Sequence, residues 1–392
     1  MASGYSAIVP TYRERNDLAA LIQSFPKVLL TSGALEVLVV DNSEGQKATA
    51  GLGWQFPFVR VIPAERNLGY AGACNLGAEQ AARETLVFLN DDLRLGERWF
   101  DAMQEALKGA DCAGGLILDW AGKRVDFGGA AMNVFGYGIS RHHGKKTGAV
   151  QSSKFKVQTT DTPPPFDKAT GQALHLPRKG GRDPRRSAIS GEMPLTAELF
   201  ACGASVAVKR DVFRDAGGFD SDYFAFFEDV DFGWRLNLLG YRVVFQPAAV
   251  SYHRGGATIR TIGDANHHYY LQRNSLATIY KNYSTDNMAE VLQMAMDAVL
   301  VKIQDLNGRR QNGMASAFEK AARDFMQMQP KLNLKRGEVQ LRRKRTDEEL
   351  LPLFVEPVQP AYFNETPKAL VERAYERMVG KEKTEEVVGK TG

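Results

Sequence analysis

Apolar and polar positions in the first third of the chain follow two alternating periods. Residues 5–9, 35–40, 58–62 and 85–89 are short apolar, β-branched runs that predict buried strands. Between them, residues 13–24 and 70–83 carry apolar side chains at helical spacing. This alternation predicts an α/β layer around a mostly parallel sheet. Ligands of such sheets sit beyond the carboxyl ends of the strands. Pro10-Thr11-Tyr12, Asp41-Asn42-Ser43 and Asn90-Asp91-Asp92 stand at the ends of the first, second and fourth strands.

Residues 128–195 break the pattern. They are rich in Gly, Pro, Ser and basic residues, and between 141 and 186 the many Lys and Arg face only Asp161, Asp167 and Asp183. The segment reads either as a solvated flexible loop or as a basic lid or acceptor-binding arm. Regular structure resumes with a strand from Leu199 leading to a helix start at Asp211. A helix over 228–239 ends at Gly240, a C-terminal cap, and 242–246 is a further strand. Helical periodicity dominates from 267 to about 328. After the basic stretch 335–345, Thr346 and Glu349 form a capping-box pattern. The expected organisation is a unit 1–265, split into a first half 1–127, a basic flexible insertion 128–195 and a second half 196–265. A helical region 266–380 and a frayed tail 381–392 follow.

Composition adds exclusions. Of 392 residues, 44% are hydrophobic and 24% charged, with a net charge of +4, which excludes wholesale disorder and a collagen-like chain. Cys74, Cys112 and Cys202 are too scattered for a disulfide framework or a zinc site, and fit a reducing compartment. No secretory leader and no apolar run of transmembrane length is visible. A cytoplasmic protein is expected, at most peripheral to the inner face of the plasma membrane.

Three clusters carry candidate chemistry. Asp91 and Asp92 are adjacent carboxylates that repel unless a cation or donor lies between them; hard ions such as Mg²⁺ or Mn²⁺ suit such oxygens and bridge to phosphates. Asn90 and Asp91 are equally good turn formers, and Asp41 serves as readily as a turn or cap residue. The small residues from Asn67 to Gly77 allow close backbone approach to a ligand or tight helix-on-sheet packing. Glu228, Asp229 and Asp231 complement a helix N-terminus, and the aromatics at 223–227 make a dry cleft that raises a carboxyl pKa, as a general base requires. His253 follows a strand end and is a candidate metal ligand.

In order, IVPTYRE, VVDNS, NLGYAGACNLG, FLNDD, ACGASVAVKRDVF, GGFD, FFEDVDFGWR and YHRGG resemble glycosyltransferase family 2, with its GT-A fold, over residues 5–282. QRNSL at 272–276 and VQLRRKRTDEEL are similar to rhamnosyltransferase-like enzymes of bacterial surface polysaccharides. The resemblance implies inverting transfer from a UDP-, dTDP- or GDP-sugar with a divalent cation, Mn²⁺ or Mg²⁺. It implies that Pro10, Thr11, Tyr12 and Glu14 line the base and ribose pocket, that Asp41 bonds the base, and that Asn67, Gly69 and Asn75 flank the nucleotide. Asp91 would line the donor site, Asp92 and His253 would hold the metal, and Asp229, beside Glu228, would be the catalytic base. Asn90 departs from the family's Asp-x-Asp pattern and leaves most of the metal binding to Asp92. The expected acceptor is a lipid-linked or surface glycan, with the basic segments touching an anionic membrane surface or the acceptor pyrophosphate. Two rival readings share the core: a nucleic-acid acceptor bound through the basic loop, and a non-catalytic nucleotide-sugar binder.

Overall fold

The computed structural model describes residues 2–13, 16–147, 195–255 and 262–353, with 373 and 376. Strands are β1 Ala2–Thr11, β2 Leu35–Asp41, β3 Val59–Pro63, β4 Arg83–Leu89, β5 Leu93–Leu95, β6 Cys112–Asp119, β7 Val125–Phe127, β8 Ala130–Met132, β9 Gly138–Ser140, β10 Thr196–Ala197, β11 Ser205–Lys209 and β12 Val243–His253. Helices are α1 Asn16–Gln23, α2 Lys27–Thr31, α3 Leu52–Gln55, α4 Gly69–Gln80, α5 Trp99–Lys108, α6 Arg210–Asp215 and α7 Glu228–Leu238. The C-terminal helices are α8 Asp264–Asn282, α9 Thr285–Gly308, α10 Asn312–Arg342 and α11 Asp347–Leu350.

The central sheet runs β10-β12-β6-β11-β4-β1-β2-β3. β3, β2, β1 and β4 are mutually parallel, as are β6 and β12; β11 is antiparallel to both β4 and β6. The long strands therefore share one direction except β11, the mostly parallel α/β architecture expected. Alternation along each strand fills both faces. Ala7, Val9, Val37, Val39, Val87 and Leu89 enter one core, while Ile8, Leu38, Val40, Leu86 and Phe88 enter the other. Helix α4 lies close because it is built of small residues; a Cβ on Gly77 would stand 2.5 Å from Ile8 Cγ2.

Chain order reverses at β1, which has β2 on one side and β4 on the other. A crevice opens at that switch point, beyond the carboxyl ends of the two strands. β2 therefore leads the chain to one wall of the crevice and β4 delivers Asn90-Asp91-Asp92 to the other.

Two expectations change. Residues 128–147 are not a loose loop: β8 and β9 form a hairpin whose Ala130, Met132, Val134, Phe135 and Tyr137 are buried in the main core. Apolar residues too short a run to show periodicity are here held by cross-strand pairing. Residues 148–194 lie outside the described residues. The C-terminal helices, moreover, share the core of the catalytic unit: Leu276, Ile279, Tyr283, Val299 and Phe325 join the cluster that contains Val9 and Leu89.

A buried ion network ties the two regions. Lys281 on α8, 1% exposed, bonds Asp220 Oδ2 at 2.5 Å and Asp231 Oδ1 at 2.9 Å. Arg235 Nε meets Asp231 Oδ2 at 2.9 Å, and Lys335 on α10 bonds both Asp220 and Asp222. Burial opposes ionisation of Asp220, but Lys281 and Lys335 outweigh it and hold its carboxyl below the usual range. Arg235 and Lys281 do the same for buried Asp231.

Much of the basic stretch 335–345 takes part in such contacts. Arg336 donates to the Tyr280 and Tyr283 carbonyls, Arg342 to Asp215, Arg343 to Asp347 and Arg345 to Asn237. The Thr346–Glu349 capping box forms as its sequence predicts. Lys281→Met leaves two buried carboxylates short of their shared cation. It should destabilise the fold by about 3–5 kcal/mol at neutral pH in urea unfolding. Both carboxyls are held below their unfolded pKa, so this stabilisation is present above about pH 4 and lost as pH falls below it; the gap between wild type and variant should narrow there.

Candidate active site

The crevice contains two adjoining cavities. The first, about 180 Å³, is lined by Pro10, Thr11, Tyr12, Asn42, Asn67, Gly69, Tyr70, Asn90, Asp91, Asp92, Phe224 and Ala225 among others. The second, about 330 Å³, is bordered by Tyr70, Asn90, Cys202, Ala225, Phe226, Phe227, Glu228, Asp229 and His253 among others. Tyr70, Asn90 and Ala225 belong to both and mark the junction. Residues from the ends of β1, β2, β4 and β12 and from the start of α7 thus meet in one place.

Across β1 and β4, Thr11 Oγ1 donates to Asp91 Oδ2 at 2.7 Å, fixing that carboxylate at the strand ends. Asp92 is 4% exposed, and its Oδ1 lies 3.0 Å from His253 Nε2. The other ring nitrogen, Nδ1, meets Asp126 Oδ2 at 2.6 Å. Burial alone would lower the His253 pKa, but hydrogen bonds to Asp126 and Asp92 raise it to about 10. Among the described residues no group of three or more His, Cys, Asp or Glu side chains stands ready to hold a metal ion. What the chain offers is a convergent carboxylate and imidazole. That pair suits a Mg²⁺ or Mn²⁺ ion whose remaining ligands are phosphate oxygens.

On the far side, Asp229 accepts hydrogen bonds from the Gly203 and Val230 amides, each at 2.8 Å. Burial raises its pKa and these amides restrain the rise. Neighbouring Glu228 is 6% exposed, and its Oε2 is buried without a hydrogen-bond partner. Burial and the charge of Asp229 push the Glu228 pKa well up. Both carboxyls are raised, Glu228 the further, so Asp229, held by two amides, is the one that loses its proton first.

The aromatic turn before α7 divides the cavities and is held in an uncommon conformation. Phe224, Phe226 and Phe227 have φ of 64°, 68° and 64°, positions that cost of order 1–3 kcal/mol each. Helix α8 captures the turn's carbonyls. Asn274 Nδ2 donates to Tyr223, Ala225 and Phe226 at 3.1, 2.9 and 2.7 Å, and Arg273 Nη2 to Asp222 and Tyr223 at 2.9 Å. The Phe224 carbonyl turns the other way and accepts from Tyr70 N at 2.6 Å. Gly69, with φ +70°, is required there, because a Cβ would sit 2.2 Å from that oxygen.

Several expected site residues lie elsewhere. Asp41 is fully buried and accepts from the amides and hydroxyls of Ser43 and Thr49, so it shapes the turn after β2 instead of facing the crevice. Asn42, one residue on, takes the wall position and bonds Asn67, Gly69 and Leu68. Asn75 pins the Phe219 backbone through both its amide atoms, away from either cavity. Glu14 lies outside the described residues. Asn42 lies within the VVDNS motif; Asp126, Arg273 and Asn274 gave no chemical signal of their own, although QRNSL was conspicuous.

Comparison with known proteins identifies this arrangement. Residues 6–154 match the profile of glycosyl transferase family 2, and residues 186–281 that of glycosyl transferase family group 2. The chain belongs to glycosyltransferase family 2. As a glycosyltransferase it uses a nucleotide-sugar donor. It is 27% identical over 241 residues to N-acetylglucosaminyl-diphospho-decaprenol L-rhamnosyltransferase of Mycobacterium tuberculosis, covering 59% of this chain and 71% of that one. It is 25% identical over 270 residues to the O-antigen biosynthesis protein RfbC of Myxococcus xanthus, covering 68% of this chain and 18% of that one. Two solved structures bear a loose overall likeness. GalNAc-T7 with UDP, GalNAc and Mn²⁺ is 14% identical with a TM-score of 0.49, over 83% of this chain and 57% of that chain. The mannosyltransferase PcManGT of Pyrobaculum calidifontis, with GDP-Man and Mn²⁺, is 13% identical with a TM-score of 0.45, over 83% and 88%.

In this glycosyltransferase the aromatic turn is testable through its anchor. Asn274→Leu keeps the side-chain size but removes the donor shared by three carbonyls. It should cost at least about 1–3 kcal/mol in urea unfolding, with an unchanged slope. An unchanged midpoint would mean the carbonyls find other partners.

Proposed function

We propose that this glycosyltransferase inverts. It moves a sugar, L-rhamnosyl or a related hexosyl group, from a nucleoside diphosphate to a hydroxyl of a lipid-diphosphate-linked or surface-polysaccharide glycan. One observation carries the reading: Asp229, the amide-held member of its carboxyl pair, and His253, the partner of Asp92, border the same cavity. A base and a leaving-group site are thus set on either side of the place where the anomeric carbon reacts.

In this reading the smaller cavity takes the nucleotide, with Pro10, Thr11, Tyr12, Asn42, Asn67 and Gly69 as its walls. Asp92 and His253 would hold a divalent ion, which supplies charge to offset the developing diphosphate. The acceptor lies in the larger cavity against Asp229 and Phe227. Its hydroxyl oxygen forms the new bond to the anomeric carbon as the bond to the diphosphate oxygen breaks. The hydroxyl proton passes to Asp229, whose carboxylate the Gly203 and Val230 amides keep aimed. Glu228, neutral, adds no second negative charge beside it. A single oriented base suffices for one displacement, so no covalent intermediate is needed.

The acceptor class rests on the named activity of the mycobacterial relative. No helix among the described residues is long and apolar enough to cross a membrane. A lipid-linked acceptor would therefore be met at a membrane surface. The wider basic loop that suggested a nucleic-acid acceptor lies, beyond Thr147, outside the described residues, and nothing else favours that acceptor.

Asp229→Asn should lower turnover by about 10²–10⁴-fold while nucleotide affinity stays unchanged. Turnover is followed as nucleoside diphosphate release from UDP-, dTDP- and GDP-sugars, with N-acetylglucosaminyl-diphospho-polyprenol as acceptor. Loss of nucleotide binding in the variant would make Asp229 structural. A thermal-shift panel of UDP, dTDP and GDP, each with and without Mn²⁺, should show one nucleotide raising Tm more with the metal. An equal shift without Mn²⁺ would remove Asp92 and His253 from the donor site.

A further inference from the structure

Asp126 has no part in the scheme above, yet it makes the shortest contact to the site. It lies in the middle of β7, a three-residue strand antiparallel to β6. β6 runs parallel to β12, and their register pairs Asp119 with His253 at the end of both. This stacking of β7, β6 and β12 brings two residues 127 positions apart to 2.6 Å, Asp126 Oδ2 to His253 Nδ1. The His253 side chain, 16% exposed, borders the larger cavity, and that of Asp126 is 34% exposed.

The hydrogen-bonding inventory assigns the atoms. An ionised carboxylate only accepts, so Nδ1 carries the hydrogen. In a neutral imidazole the remaining lone pair is then on Nε2, and Nε2 is the atom 3.0 Å from Asp92 Oδ1. With the ring charged, Nε2–H donates to Asp92; a divalent ion would replace that proton and be met by the Nε2 lone pair and Oδ1. Without Asp126 the imidazole is free to take the other tautomer or to turn its ring, and the convergence is lost. Asp126 has a second tie: its carbonyl oxygen meets His143 Nδ1 at 2.9 Å. That contact anchors the strand while leaving Oδ2 committed to His253.

The geometry points to Asp126 as a positioning residue that fixes the ring orientation and tautomer of His253, so that Nε2 and Asp92 together bind the divalent ion. The inference rests on the metal reading above and deepens it. Carboxylate partners of this kind are typically worth 10–100-fold in metal affinity. Asp126 acts through His253 and touches neither donor nor acceptor in this scheme.

The test is Mn²⁺ binding by the full chain in the presence of UDP, dTDP or GDP, followed by the EPR signal of free Mn²⁺, with no turnover involved. Asp126→Asn should weaken Mn²⁺ by about 10–100-fold and leave metal-free nucleotide affinity unchanged. Asp126→Glu, which keeps a carboxylate, should recover part of the loss. Pulsed EPR adds a signature that mere packing would not move: wild type should show ¹⁴N coupling from a bound imidazole, and Asp126→Asn should weaken or lose it. Equal Mn²⁺ affinity and unchanged coupling in Asp126→Asn would overturn the role of Asp126 while leaving the metal site standing. Absence of Mn²⁺ binding by wild type with every nucleotide would overturn the metal reading itself, and this inference with it. Should Asp126→Asn fail to fold, the same comparison in Asp126→Glu decides, since lengthening the side chain should still shift the ¹⁴N coupling if the contact orients the ring.

Discussion

The active site depends on one act of backbone capture. Three phenylalanines in left-handed conformations are costly, and without an external partner the turn at 223–227 would relax. Asn274 and Arg273 supply that partner by donating to four successive or near-successive carbonyls from inside α8. Gly69 and the Tyr70 amide take the carbonyl that points the opposite way. The turn is thus clamped between the donor side and the C-terminal helices. Asp229 follows it directly at the first turn of α7, so the position of this carboxylate, the base we propose, is inherited from residues nearly fifty positions later in the chain.

The same helices carry the buried charges. Lys281 and Lys335 neutralise Asp220, just upstream of the aromatic turn, and Lys281 reaches Asp231, just downstream of the base. Carboxylates on both flanks of the catalytic segment are therefore anchored to α8 and α10. A buried pair of this type contributes little net stability over an apolar replacement, but losing one partner is severe. Its effect here is to make α8 and α10 one mechanical unit with the aromatic turn and α7. This accounts for Lys335, Arg336, Arg343 and Arg345 in the basic stretch, which bond carboxylates, carbonyls and Asn237.

Most of the sheet was legible because its cause is local. β1, β2 and β4 are continuous apolar runs buried on both faces, and helix spacing between them left no other layer arrangement. The strand-end motifs were legible for the same reason: where a strand ends, its next residues line the crevice. That logic located Thr11, Asn67, Gly69, Asp91 and Asp92 at the cavity. It failed for Asp41, because in this chain Ser43 and Thr49 saturate its carboxylate and hand the wall to Asn42. It failed for Asn75, whose amide is used to pin the Phe219 turn.

By itself the sequence determined the alternation of strands and helices in the first third and the chemical types gathered beyond the strand ends. Periodicity and strand ends are properties of neighbouring residues, and the chain states them directly. Tertiary structure decided which atoms those residues present. His253 became a partner of Asp92 only through the pairing of β12 with β6 and β5, and Asp126 joined it through a three-residue strand with no readable motif. Asp229 and Glu228, adjacent and similar in sequence, were given different acidities by burial and by the Gly203 and Val230 amides, which reach only Asp229. Hydrogen-bond partners, burial and left-handed backbone arise from contacts between distant segments, and no local pattern encodes them.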